Sequence, residues 1–373
     1  MRVEATELGA TADGTRFLAR IRTAAEGRFD LWYDLPAAAP PPPPASAGNA
    51  LLATLLPHAM LRGEPLELPL PVSPRLVKAL PALQRFYRRC RRPWRIALQK
   101  VAVEAEHGVA PGATAVALFC SGGVDSRYTL LRHRGTVTHL LFVLGFDVPL
   151  ADASLAATAR AGLDALAERE GKVFWQVATN LRETPLASLP WEVGFGGALA
   201  GVAHLLSPAF ARALLAASFY PGFNPPWGSH PDIDPLWSTE ALEFLHDGFE
   251  HHRAEKIRAL AAHPEMLPGL RVCWRSKDGK ANCSRCEKCL RTMAKLLAYG
   301  ALGACPEFGQ LDAAAVAAVE IPRHLLFSWR INLDELERVG GHDALCEAIR
   351  VALRRNGGLQ ERLRLAFRGS RAC

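Results

Sequence analysis

No stretch of the sequence is apolar for long enough to cross a bilayer; the longest candidates are broken by charges or prolines, which excludes helical membrane spans. The opening residues, Met1-Arg2-Val3-Glu4-Ala5-Thr6-Glu7, lack the basic-then-apolar order of a secretory signal, and a cytoplasmic protein is expected. No internal repeat is present, so a repeat array is set aside. Neither charge nor apolarity is extreme: 22% of residues are charged and 49% apolar, the balance of a globular chain with a sizeable core. Its 373 residues suit one large α/β domain with additions, or two domains.

Acidic residues are outnumbered. The formal charge is +7 and the pI about 9.0, which suits a nucleic-acid partner and equally an enzyme handling nucleoside phosphates. Four of the nine cysteines, Cys273, Cys283, Cys286 and Cys289, crowd into one short segment. In a cytosolic chain such clustering points to metal rather than disulfides. Cys90, Cys120, Cys305, Cys346 and Cys373 are scattered and read as small buried or incidental thiols.

Along the chain, residues 16–21 and 28–34 predict two strands of a hairpin around Glu26-Gly27. A proline block over 36–44 predicts an extended or loop segment. A helix over 51–61, a strand over 67–72 and a helix over 77–88 follow, ending in the basic run Arg88-Arg89-Cys90-Arg91-Arg92, read as a solvated face. No chemistry is visible in this part. From residue 113 the pattern changes: 115–120, 139–144 and 173–177 are buried-strand runs alternating with helical stretches at 126–134 and 155–170. A helix over 197–206, a strand over 214–219, a helix over 290–299 and further helices between 312 and 367 complete the reading. Alternation of this kind predicts an α/β fold with a parallel sheet covered by helices on both faces. The expected organisation is an N-terminal α+β module with a Pro-rich loop (1–105), an α/β domain (106–300) containing the cysteine segment 273–289, and a helical C-terminal extension (301–373).

One segment sits where such a fold places a ligand, after a strand and at the start of a helix: Ser121-Gly122-Gly123-Val124-Asp125-Ser126. The glycines let the backbone turn sharply and bring bare N–H groups against an anion. Ser121 and Ser126 add hydroxyl donors, and the helix N-terminus adds partial positive charge. Asp125 makes sense beside phosphate as a Mg²⁺ ligand, directly or through water. The hexapeptide resembles the signature of the PP-loop ATP pyrophosphatases. That resemblance implies a parallel-sheet, Rossmann-like domain that binds Mg·ATP at Ser121, Gly122, Gly123, Val124, Asp125 and Ser126. It also implies adenylation of a carboxylate or carbonyl oxygen, release of pyrophosphate, and displacement of AMP by a nitrogen or sulfur nucleophile. The loop would hold the β- and γ-phosphates, and the adenine is expected near residues 143–146.

The cysteine spacing, one cysteine followed by two overlapping Cys-x-x-Cys steps, closes a tetrahedron without an open position, so Cys273, Cys283, Cys286 and Cys289 read as a structural Zn²⁺ site. Lys277, Lys280, Arg285 and Lys288 can offset its negative charge. An iron–sulfur cluster or a sulfur-carrier thiol are the alternatives.

Between the loop and the cysteines, Gly228-Ser229-His230-Pro231-Asp232-Ile233-Asp234-Pro235 is similar to a segment of 7-cyano-7-deazaguanine synthases, matched at Gly228 or Ser229, Pro231, Asp232 and Pro235. Arg253-Ala254-Glu255-Lys256-Ile257 and Arg271-Val272-Cys273-Trp274 resemble two further motifs of those enzymes. Asp147-Val148-Pro149-Leu150 and Arg127 depart from them. The resemblance implies catalytic roles for Asp125, Ser126 and Asp232, a small carboxylate substrate (deazaguanine-like or other) and ammonia as nucleophile. A branch acting on another carboxylate, one on a protein included, fits comparably. A tRNA-modifying enzyme, with an RNA acceptor, and a nucleotide-binding subunit without turnover are the other readings. Asp234 and His230 are second-tier candidates for metal or substrate contacts. His246, Asp247, His251 and His252 read as a solvated helix end carrying acid–base groups, and Arg182, after Thr179-Asn180, as a contact for a phosphate or carboxylate at the sheet's carboxyl edge.

Overall fold

The early strand runs alternate apolar with polar residues, so they can bury only one face. The computed structural model describes residues 1–90, 96–106, 112–276 and 278–358. It forms them into an antiparallel meander of β1 (Arg2–Thr11), β2 (Gly14–Thr23) and β3 (Gly27–Pro36). Phe17, Ala19, Ile21, Leu31, Tyr33 and Leu35 are its buried row. The other face carries ion pairs such as Arg16–Asp34 at 2.6 Å and Arg28–Glu4 at 2.7 Å. The hairpin around Glu26-Gly27 is as expected; β1, whose sequence shows little alternation, was not anticipated. Helix α1 (Pro44–Arg62) starts inside the proline block, because a proline in the first turn lacks only an N–H that has no helical partner anyway. Then come β4 (Leu66–Val72), α2 (Pro74–Arg89) and β5 (Val101–Ala105). Arg91 and Arg92 of the basic run lie outside the described residues.

The continuous apolar runs become β6 (Ala115–Phe119) and β7 (His139–Leu144), linked by α3 (Val124–Arg132). α4 (Ala153–Arg169), β8 (Val173–Thr179), α5 (Trp191–Leu205), β9 (Phe210–Ala216) and β10 (Glu243–Asp247) follow. Among the described residues all ten strands join one sheet, ordered β10-β9-β6-β7-β8-β3-β2-β1-β4-β5 and parallel except around β2 and β3. The fold is therefore α/β with a mostly parallel sheet. From β6 the chain builds outward through β7 to β8, then returns to the other side of β6 as β9 and β10. Strand order reverses between β6 and β9, the place where open α/β sheets leave a crevice at the strands' carboxyl ends. The strand expected at 214–219 lies earlier, as β9, and β10 was missed. α1 and α5 pack closely because α5 presents glycines: a Cβ on Gly197 would lie 2.6 Å from the Ala53 carbonyl oxygen.

By contacts the chain divides into two units. One comprises Met1–Ser121, Thr129–Asp152 and Ala167–His251, so β1–β5 share it with β6–β10. The other comprises Gly122–Tyr128, Ala153–Leu166 and the described part of His252–Cys373. The second unit holds α6 (Arg253–Ala261), α7 (Glu287–Ala298), α8 (Ala313–Ala318), α9 (Leu326–Val339) and α10 (Asp343–Asn356). Leu290, Ala294, Trp329, Leu333, Leu336, Ile349 and Leu353 form its core. The helices expected beyond residue 358 lie outside the described residues. Among the described residues no helix is long and apolar enough to cross a membrane.

Candidate functional site

β6 delivers the chain to the reversal point. The Cys120 amide still bonds the Leu141 carbonyl at 2.9 Å, and Ser121 beyond it is exposed. Gly122 adopts φ +78°, a left-handed conformation that a side chain would strain. α3 begins two residues later with Asp125 in its first turn, and the Ser126 hydroxyl donates to the Gly123 carbonyl at 3.2 Å. The Gly122 carbonyl accepts the Arg271 amide at 3.0 Å and the Arg127 Nε at 3.0 Å. Arg127 is fully buried, and its Nη1 also donates to the carbonyls of Met266 and Pro268, the latter at 3.1 Å. Arg127 is thus a fastener, tying the glycine turn to the 266–268 segment.

Asp125 is enclosed by cations. Arg253, at the start of α6, pairs with its Oδ2, and Lys256 one turn later reaches Oδ1 at 3.3 Å. Burial alone would raise the Asp125 carboxyl, but Arg253, Lys256 and Lys288 outweigh it and hold it below its ordinary value. Burial pushes the Arg253 guanidinium down, with Asp125 opposing. α6 is aimed by a capping box: the Ala254 amide donates to His252 Nδ1 at 3.1 Å, and the His252 amide to Glu255 Oε2 at 2.7 Å.

The four cysteines converge. Their Sγ atoms all lie within 4.8 Å of one another, with Cys273–Cys286 at 3.8 Å and Cys283–Cys289 at 3.9 Å. A tetrahedral Zn²⁺ with Zn–S near 2.3 Å needs Sγ–Sγ edges of about 3.8 Å, so the donor set fits that ion. Amides of Arg275 and Cys286 donate to the sulfurs of Cys273 and Cys283 at 3.2 and 3.3 Å, the support expected for thiolate ligands. The thiols are coupled: the hydrogen bond with Cys289 helps lower Cys286 to about 5 and raises Cys289, while burial raises Cys273. Asn282, which sequence reading passed over, aligns the segment leading into Cys273. Its Oδ1 accepts the amides of Val272 and Cys273 at 2.9 and 3.3 Å, and its Nδ2 donates to the Leu270 carbonyl at 2.7 Å.

In the first unit, the two aspartates separate. Asp232 is 56% exposed and pairs with Arg89 at 3.1 Å. Asp234 is fully buried; its Oδ2 accepts from Ser229 Oγ at 2.6 Å and His246 Nδ1 at 2.6 Å. His230 is buried too, its Nδ1 accepting the Asp232 amide at 3.0 Å. The expectation of a solvated helix end over 246–252 is corrected. His246 and Asp247 close β10, half-buried and paired in parallel with β9, and only His252 belongs to a helix, as the cap of α6. Asp247 accepts from Thr129 Oγ1 and contacts His133 Nε2, each at 2.8 Å. Arg182 donates to the Phe146 carbonyl at 2.8 Å and stacks on Trp191, while Thr179 and Asn180 bond the β3 backbone at Trp32.

Arg253, Lys256, Arg271 and Asn282 are the residues that sequence reading did not assign to a site. The first two stood in a motif already noted, and their spacing of one helical turn was the available signal. Comparison of the chain with protein-family models, curated proteins and solved structures returns no match, so its functional reading rests on these residues alone.

Proposed function

We propose that the chain is a PP-loop enzyme that binds Mg·ATP at Ser121-Gly122-Gly123-Val124-Asp125-Ser126 and adenylates a carboxyl or carbonyl oxygen of its acceptor. The observation that carries this reading is the placement of that hexapeptide. It leaves β6 where strand order reverses, turns at a left-handed Gly122 and opens α3 beside Arg253 and Lys256. In the first step a carboxylate oxygen attacks the α-phosphorus of ATP, the P–O bond to the β-phosphate breaks, and pyrophosphate leaves. In the second, ammonia attacks the acyl adenylate, AMP departs, and one proton passes to a base. The loop amides, Arg253 and Lys256 neutralise charge on the leaving pyrophosphate. Mg²⁺ held by Asp125 would supply further charge neutralisation when bound. Zn²⁺ on Cys273, Cys283, Cys286 and Cys289 is structural, since all four positions are filled by protein.

The test is a mass-spectrometric assay of purified protein with Mg·ATP, ammonium and 7-carboxy-7-deazaguanine, beside an Asp125→Ala control. Substrate-dependent AMP with an amide or nitrile product, both lost in the control, is the expected result for a deazaguanine substrate. ADP in place of AMP would overturn the pyrophosphatase reading. Tight ATP binding without turnover would direct the search to a macromolecular acceptor.

A further inference from the structure

The cysteine segment carries more than its sulfurs. Trp274, next to the buried ligand Cys273, is 76% exposed, the most exposed of the large apolar side chains among the described residues. It is nonetheless held in place: Lys288 Nζ, from the first turn of α7, sits 3.8 Å from its ring centroid. That leaves the other face of the indole for a planar partner. Arg275, Lys280 and Arg285 are exposed on the same segment, and none of the three has an ion-pair partner among the described residues. Other arginines of the chain behave differently: Arg16, Arg20, Arg22 and Arg28 are all paired with carboxylates.

Charge balance does not account for these cations. Residues 273–289 contain five basic and two acidic side chains. A four-thiolate zinc carries about −2, which still leaves the segment positive. One of the acids, Glu287, is already engaged by Arg291 at 2.7 Å and by Trp329 Nε1 at 2.9 Å. Lys280 and Arg285 also line a cleft of ≈ 670 Å³ together with residues 306–310, a volume suited to a nucleotide. Glu307 lines it too; its Oε1 accepts the Gly269 amide at 2.5 Å.

We infer that this face, Trp274 with Arg275, Lys280 and Arg285, binds single-stranded nucleic acid. An aromatic platform flanked by free cations is the arrangement that stacks an unpaired base and tracks its phosphates, whereas a duplex offers no open base for the indole. Because Lys288 both holds Trp274 and lowers the Asp125 carboxyl, the face belongs with the loop in the second unit. The inference does not depend on nucleotide turnover.

The experiment is fluorescence anisotropy of the full zinc-loaded chain with labelled single-stranded oligonucleotides of about 15 nucleotides, ribo- and deoxy-, titrated against salt. Both should bind, and a preference would tell RNA from DNA. Trp274→Ala should weaken binding about tenfold, with Trp274→Phe recovering part of the loss. Lys280→Ala/Arg285→Ala should flatten the log–log salt slope by about 0.7 for each cation removed. Circular dichroism and zinc content should be unchanged in all three. The inference fails if no binding is seen at low salt, if the Trp274 variants bind like the parent, or if a duplex or poly-glutamate competes as well as the single strand.

Discussion

Asp125 is surrounded by more positive charge than it can balance, which makes its removal informative. The side chains of Asp125, Arg253 and Lys256 are only 18, 16 and 2% exposed. At an effective dielectric near 20, the 3.3 Å contact with Lys256 is a gross attraction of about 5 kcal/mol, much of it offset by desolvation. Asp125→Asn keeps the shape and removes the charge, leaving two cations buried without their carboxylate. The expected cost is about 3–5 kcal/mol, read as a lower urea midpoint. An anion should replace the missing charge. Without Mg²⁺, pyrophosphate should therefore stabilise the variant by about 2.7 kcal/mol at a hundredfold excess over its Kd, and the parent by less. With Mg²⁺ the order should reverse if Asp125 holds the metal as proposed, since the variant lacks that carboxylate. If the variant unfolds like the parent and pyrophosphate protects neither, the anion cradle does not exist.

Three further outcomes are expected. Elemental analysis should find one zinc per chain, and Cys286→Ser should lose it and unfold the second unit; the apparent binding energy of structural zinc, about 10–16 kcal/mol in small zinc domains, exceeds the stability of most domains. In α5, Gly196→Ala would put a Cβ 1.7 Å from the Gly228 carbonyl oxygen and Gly201→Ala one 2.2 Å from Thr54 Oγ1, so each should cost at least about 1–3 kcal/mol in denaturant titrations. Gly303→Ala, with nothing within 4 Å, is the matched control. Burial drives His58 and His204 down to about 3, so both stay neutral in the fold while the unfolded chain takes up protons near 6.5. Their contribution is intact above pH 6.5 and lost progressively between 6.5 and 3; by pH 5 each should have cost about 2 kcal/mol, and alanine variants should show a flatter stability profile.

What was legible in the sequence was local. The loop announced itself because a buried strand, a glycine turn and a helix start are adjacent along the chain, and the cysteines did because metal-ligand spacing is short-range. β10 is five residues long and reads as Glu-Phe-Leu-His-Asp, with too few positions to show a period; it is a strand because β9 pairs with it in parallel. That pairing, and not any feature of residues 246–247, sets His246 against Asp234 and turns an expected solvated helix end into a fixed dyad.

The same distance rule explains the cations. Arg253 and Lys256 meet Asp125 from 128 and 131 residues away, so their charges could not be assigned to the loop before the chain was folded. Arg127 is the sharpest instance. As a letter in a motif it was a departure, a charged residue where a small one is usual. In the fold its guanidinium is sealed from water and spends its Nε and Nη1 donors on the carbonyls of Gly122, Met266 and Pro268. A buried guanidinium is tolerated only where such acceptors are waiting, so Arg127 and the 266–268 turn depend on each other. The segment that Arg127 fastens leads directly into Arg271 and Cys273, so the glycine turn and the cysteine segment are joined through it.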